Sequence, residues 1–566
     1  MLCSGIRHLT TDVLVIGGGV AGCFAGIGAL EKGARVLVIE KAGIRRSGGC
    51  GAGNDHFGAH LNLGEHWDTD EAIDEWVARV GEVAVDMRVV SLVNTRRVQE
   101  TVRRLEEMGV PMRNPKTGQY IRTTSIGGKG ATVINFDGRN IKPLLAAKLH
   151  SLGGQVLNRT MATRLMVNGG HVVGATGIDV RDGTFMCVTA RQIVLATGGS
   201  FRMFKNRTGL VFNTWHSPYN AMSGQVLAFK AGAQLTNMEF SGCNVVPKGF
   251  TTPGFSAFTG MGCYLINASG ERYLARYHPK LEGAPRSVVI TATLNEEKEG
   301  RGPCYFDCRH LSPKDLHHLT DDLLAIDKAT FSDFLAQKGI DLAKQPLEIE
   351  VCEPGSSIVQ ESSPGVLIDE RCRTKVSGLS AAGDCSAYGG SLPNATTTGL
   401  TAGEAVGKSF RDVQVEADLD QDELERERER VLAPLRRRKG VRWQDYEGEL
   451  REIMSEHVGR VRTAPGIESG IKKLEALSER AGELAASNLH ELMRCLEAQD
   501  LVLGSRLIAR AALERKESRF GIYHFRQDYP QKDDNNWFGQ ILLERDGDSI
   551  RSSFKPLTPW IDAQEP

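Results

Sequence analysis

Three glycines and one acid near the amino terminus have the types and spacing that chemistry on a pyrophosphate needs: Gly17, Gly19 and Gly22, then Glu40. Gly17 permits a tight turn, Gly19 lets the backbone approach a pyrophosphate, and Gly22 lets a helix and a strand pack closely. Glu40 accepts both ribose hydroxyls and would repel a 2′-phosphate. These residues need particular elements to hold them, and the sequence supplies them in order. Asp12–Ile16 reads as an apolar β-branched strand, Ala21–Leu30 as an alanine-rich helix, and Ala34–Ile39 as a second strand ending in the acid. Glycine clusters alone recur in many loops; strand, turn, helix, strand and terminal acid at these distances specify nucleotide binding.

Two later segments return to the same kind of site. Arg191–Ser200 (RQIVLATGGS) is a buried strand ending in a glycine pair, and Gly378–Asp384 (GLSAAGD) is another, with an acid after the glycine. Loops arriving from so far along the chain suit a long, extended dinucleotide, and FAD fits best.

The set GGGVAG, ATGG and GLSAAGD, with Arg46-Ser47-Gly48-Gly49 after the first of them, resembles the flavoproteins of fumarate reductase, succinate dehydrogenase, aspartate oxidase and adenylylsulfate reductase over nearly the whole chain. The resemblance implies an α/β fold: a Rossmann-like FAD-binding domain split between residues 1–200 and 352–408, an inserted α+β capping domain at 201–351, and a carboxy-terminal helical domain at 418–566. It also implies that the segment after Glu40 wraps the flavin, that Asp384 contacts the ribityl chain, and that the cofactor contacts beyond the glycine turn are Lys41, Ser47, Gly48, Gly49, Ala162, Thr197, Gly198, Asp384, Ser391 and Leu392. Succinate dehydrogenases join the flavin covalently to a histidine directly after the Arg-Ser pair. Gly48 stands there in this chain, which implies noncovalent FAD. The stretches Asn488–Arg494 and Ala512–Phe538 resemble the adenylylsulfate reductase α subunit.

Flavin chemistry on an organic acid needs hydride transfer at N5, cations that hold carboxylate, and a proton donor opposite the hydride. By resemblance to fumarate reductases the donor is Arg286, with Glu271 or Arg272 as its relay or orienting group. The histidines and arginine that clamp a second carboxylate in those enzymes are replaced, by Cys243 and Asn244 in one place and by Cys385–Asn394 in the other. An unpaired buried carboxylate costs several kcal/mol, so fumarate itself is not expected. Tyr388, Asn394 and Thr396–Thr398 offer neutral donors for a less charged substrate, or caps for the next helix. Asn54 falls near the substrate-side asparagine of adenylylsulfate reductase, and His56 is a candidate facing the flavin.

The chain's 566 residues require several domains, and its 63 glycines mark tight turns and close approaches. The 69 basic and 70 acidic residues cancel, giving no excess for nucleic acid or anionic lipid. No apolar run nears the roughly 20 residues that span a bilayer, and Met1–Thr10 lacks a secretion signal's apolar core; a cytoplasmic location is expected. The 12 cysteines include no CxxC pair, so neither a metal site nor an iron–sulfur cluster is expected within the chain. The electrons then need an outside source or sink: an iron–sulfur partner subunit, as the resemblance implies, or a soluble carrier. Three functions follow in order: a flavin-dependent reductase or dehydrogenase moving hydride between flavin and an organic acid or related unsaturated compound; an adenylylsulfate reductase-like α subunit; a non-catalytic electron-transfer subunit.

Overall fold

Apolar runs without alternation belong to strands covered on both faces, and β1 (Arg7–Ile16) is buried continuously over its last six residues. The computed structural model describes residues 5–124, 130–206, 211–250, 256–325, 329–355, 362–414 and 420–560. From β1 the chain turns at the glycines into α1 (Val20–Glu31) and comes back as β2 (Val36–Glu40), parallel to β1 with Leu14 opposite Leu37. Helix α2 (Ile141–Ser151) packs on α1 and leads to β3 (Gln155–Asn158), which extends the sheet beside β2. An antiparallel meander follows: β4 (Thr160–Asn168), β5 (His171–Asp179) and β6 (Phe185–Leu195), whose last strand pairs with β1 in parallel.

The insertion builds its own core. Strands β7 (Val245–Pro247), β8 (Tyr264–Ile266), β9 (Cys304–Asp307) and β10 (Leu347–Val351) form an antiparallel sheet in the order β7-β10-β9-β8, covered by α3 (Arg286–Lys298). This is the α+β cap. The chain then re-enters the first sheet as β11 (Leu379–Ala381), parallel to β6 and its seventh strand. Helix α4 (Leu392–Ser409) lies directly on α1: a Cβ added to Gly399 or Gly403 would stand 2.4 or 2.1 Å from the carbonyl oxygens of Ala21 and Ala25. Side chains there would force the helices apart.

Residue 418, where the carboxy-terminal domain is expected to begin, lies outside the described residues. Beyond it α5 (Trp443–His457), α6 (Ala464–Glu479) and α7 (Leu489–Glu514) pack together as helices. The end of the chain departs from the helical expectation. Strands β12 (Gly539–Asp546) and β13 (Ser549–Pro556) form a hairpin through the two-residue loop Gly547-Asp548, with Gly547 at φ 61°. A Gly-Asp pair between strand-forming runs is a hairpin signal, and helical periodicity upstream masks it. Strand β12 also pairs with Leu235–Thr236, which pairs with Gly365–Val366, so one small sheet joins three distant parts of the chain. No helix among the described residues is long and apolar enough to cross a membrane.

Candidate functional site

A cavity of about 900 Å³ opens at the carboxyl ends of β1, β2, β6 and β11 and extends under the cap. Ligands of open α/β sheets bind in such a crevice because strand ends and helix amino termini converge there. Gly17 has φ 101°, and a Cβ on it would meet the Ala196 carbonyl at 2.4 Å; a Cβ on Gly22 would meet the Gly17 carbonyl at 1.8 Å. Gly19 differs. Its nearest neighbour to an added Cβ is Gly48 Cα at 3.9 Å, so the space beside it is open. Glu40 holds the turn from the far side, accepting from the Gly18 amide at 2.7 Å and from the Ala42 amide at 2.6 Å while still lining the cavity.

Of the residues expected at a cofactor, Gly17, Gly19, Glu40, Lys41, Ser47, Gly48, Gly49, Ala162, Thr197, Gly198, Asp384, Ser391 and Leu392 all line this cavity. Gly22 lies behind it, between helix and turn. Asp384 is half-buried where it lines the cavity, and desolvation pushes its carboxyl up to about 7, against a lowering pull from the Ser391 backbone. Ser391 caps α4 through the Asn394 amide, which aims that helix's amino terminus at the cavity. The Lys41 ammonium is held by the Tyr219 carbonyl and by buried Glu497, each at 2.6 Å. Glu497 also takes Arg202 at 3.0 Å and Arg494 at 2.5 Å, and Arg202 takes Glu447 at 2.9 Å. Although burial opposes ionisation of Glu497, the surrounding Lys41, Arg202 and Arg494 charges outweigh it and bring its carboxyl down to about 2. This network ties the cavity wall to α5 and α7.

The cap supplies the other wall, including Thr214–Asn220, Asn244, Met261 and Arg286. Arg286 is the first residue of α3, set by Pro285. Its Nε is buried without a hydrogen-bond partner, and no carboxylate among the described residues forms an ion pair with it. It faces Tyr523, whose phenol is raised by burial and pulled partly back by the guanidinium. His216 stacks on Phe201 and is driven down to about 4 by burial and by Arg286, so it is a neutral imidazole. Sequence patterns single out neither His216 nor Tyr523: each is aligned with Arg286 only by tertiary packing. Asn54 and His56 line the cavity; the Asn54 oxygen accepts the His56 amide at 2.9 Å, and His56 Nδ1 lies 2.5 Å from Asp55 Oδ1.

Three expected residues are not brought together with Arg286. Glu271 pairs with Arg276 and takes Asn267, and Arg272 pairs with Glu282 over the Tyr264 ring. Neither lines the cavity, because the turn carrying them points toward the far end of α3. Tyr388 is buried beneath β12, at φ 70°, with its hydroxyl 3.1 Å from Gln540 Oε1. The threonines neither line the cavity nor cap α4, which Ser391 does; they lock the helix to its surroundings: Thr396 bonds Thr101 and the Pro393 carbonyl, Thr397 bonds Asn94, and Thr398 donates to the Asn394 carbonyl and accepts from the Gly383 amide.

Residues 12–397 match the FAD binding domain family, and residues 447–561 match the fumarate reductase flavoprotein C-terminal family. The chain belongs to the fumarate reductase and succinate dehydrogenase flavoproteins. Among relatives of this family, one chain of the CoM/CoB fumarate reductase of Methanothermobacter marburgensis is 27% identical, over 94% of this chain and 97% of its own. Adenylylsulfate reductase of Archaeoglobus fulgidus superposes with a TM-score of 0.89 at 24% identity, covering 99% of this chain and 98% of the other. A quinol fumarate reductase flavoprotein of Escherichia coli gives 0.83 at 23%, covering 98% and 97%. At such identities these two structures show the fold. The flavoprotein's cavity fits FAD on its own geometry: the open space at Gly19 admits a pyrophosphate, Glu40 keeps lone pairs for ribose hydroxyls, and Asp384 with the α4 amino terminus faces the inner end. Among the described residues no group of His, Cys, Asp or Glu could hold a metal ion.

Proposed function

We propose that this FAD-dependent oxidoreductase moves a hydride between its flavin and an unsaturated organic acid or related compound other than fumarate, with Arg286 as the substrate-contacting cation and proton donor. When bound, the isoalloxazine supplies the hydride position at N5. The carrying observation is the Arg286 guanidinium, which faces the cavity with its Nε desolvated and, among the described residues, no carboxylate paired to it. Other deeply buried arginines, such as Arg202 and Arg515, are spent on carboxylates. A guanidinium left in this state binds a carboxylate in two places and polarises the bond next to it. Neutral His216 adds no second charge, and apolar Trp215 and Met261 exclude water from the same wall. That arrangement suits a substrate with one acidic group better than two.

The flavin is noncovalent in this reading, because Gly48 has no side chain to bond it. Trichloroacetic acid precipitation should release all flavin absorbance to the supernatant; a yellow pellet would overturn this. The absence of CxxC spacing supports an iron–sulfur protein as the electron partner, and anaerobic purification from the native host should co-isolate a cysteine-rich chain. The central test is flavin reoxidation: photoreduced enzyme is mixed with an enoate, fumarate and adenylylsulfate in separate runs. An Arg286→Gln variant should slow the productive reaction at least a thousandfold, while Glu271→Gln stays within a few-fold of wild type. Equal loss in the two variants would defeat the assignment, and reoxidation by adenylylsulfate alone would replace it.

A further inference from the structure

Lys142 belongs to no motif, yet it lies under the dinucleotide turn. It is the second residue of α2, its side chain is wholly buried, and its ammonium donates to the Gly18 carbonyl and lies 3.3 Å from Cys23 Sγ. Neither partner is an anion. The Gly18 carbonyl also accepts from Ser47 Oγ at 3.2 Å and Cys23 Sγ at 3.5 Å. A buried ammonium without a counter-charge is costly, and natural structures rarely keep one unless something compensates it.

The peptide joining Gly18 to Gly19 shows what that compensation is. In a trans peptide the carbonyl and the following N–H point in opposite directions. With the Gly18 carbonyl turned toward Lys142, the Gly19 amide is turned away from it, and Gly19 lines the cavity at the start of α1. A cation on the carbonyl polarises the whole peptide and strengthens the opposite N–H as a donor. We propose that Lys142 is a cofactor-positioning residue: its charge acts through the Gly18–Gly19 peptide on the pyrophosphate of the dinucleotide and is neutralised when that dianion binds. The inference rests on FAD binding at this cavity.

Binding is measured by titration calorimetry on full-length apoprotein, wild type, Lys142→Met and Lys142→Gln, with FAD, ADP and riboflavin as probes; the apoproteins are also melted. The glutamine keeps a donor for Gly18 but removes the charge. Both variants should bind FAD and ADP at least tenfold more weakly, a loss of about 1.4 kcal/mol, with riboflavin affinity unchanged. Their apoproteins should melt no lower than wild type, since an uncompensated cation has been removed. Wild-type FAD affinity in Lys142→Gln, an equal loss for riboflavin, or failure of both variants to fold would overturn the proposal. A wild-type chain that binds riboflavin but not FAD or ADP would instead overturn the cofactor reading beneath it.

Discussion

Gly19 and Gly22 sit three residues apart in one turn, yet alanine at each should fail in a different way. A Cβ at Gly22 would lie 1.8 Å from the Gly17 carbonyl oxygen, closer than any real contact, so α1 must move off β1. Overpacking of that kind costs about 3 kcal/mol or more when backbone has to yield. Gly22→Ala should therefore lower the urea midpoint of the apoprotein whether or not flavin is offered. A Cβ at Gly19 meets nothing nearer than 3.9 Å, and its φ of −64° is ordinary for alanine. The small cost of alanine at a helix cap, a few tenths to about 1 kcal/mol, is partly offset by a less flexible unfolded chain. Gly19→Ala should hold its apoprotein midpoint within about 1 kcal/mol of wild type. Its methyl group would nonetheless stand where the pyrophosphate must approach, and displacing the dinucleotide should cost about 3 kcal/mol or more, roughly a hundredfold in affinity. Flavin fluorescence quenching and urea unfolding on the same samples separate the two effects. A Gly19→Ala protein that binds FAD like wild type would refute the placement of the pyrophosphate at this turn.

Other perturbations test the surroundings. Glu497→Gln leaves Lys41, Arg202 and Arg494 without their shared carboxylate and should cost about 3–5 kcal/mol in urea unfolding; because the carboxyl is depressed to about 2, the wild-type contribution is complete above pH 4.5 and fades as pH falls toward 2. Asp384 runs the other way. Its folded carboxyl is raised to about 7 from 3.8, so its contribution to apoprotein stability is full below 3.8 and is lost as pH rises through 7, with a slope of at most about 1.4 kcal/mol per unit. Asp384→Asn should flatten urea midpoints between pH 5 and 8, and an unchanged slope would remove Asp384 as its source. Tyr388→Phe strands Gln540 and should destabilise by about 1–3 kcal/mol, with flavin reoxidation unaltered; a slowed reoxidation would return Tyr388 to the substrate.

What the sequence made legible follows from how local each feature is. The Gly17–Glu40 unit can be read because its residues are neighbours in the chain and each answers to a stated steric or hydrogen-bonding need. The returns at Thr197-Gly198 and Asp384 are readable because a buried strand ending in glycine announces its own loop. Arg286 is reached by resemblance, and the cap does bring it to the cavity wall. Its neighbours are another matter: Glu271 and Arg272 are close in sequence but turned to Arg276 and Glu282, whereas Tyr523, from the far end of the chain, faces it. Lys41 likewise reads as a simple cofactor contact until Glu497 arrives from α7. Lys142 carries no signal at all, since a lysine near the start of an amphipathic-looking helix is ordinarily solvated.

The glycine seam between α1 and α4 has a consequence for biosynthesis. Nearly all of α1 is buried, and much of its cover is a helix from the far side of the cap. At about 5–20 residues per second, the ribosome reaches α4 on the order of tens of seconds after releasing α1. During that interval the glycine turn has no rigid backing, and the strand that completes its sheet is unmade. Flavin capture must then follow synthesis of α4, so nascent chains stalled before residue 392 should remain colourless and protease-sensitive in an FAD-rich translation extract, while released full-length chains turn yellow.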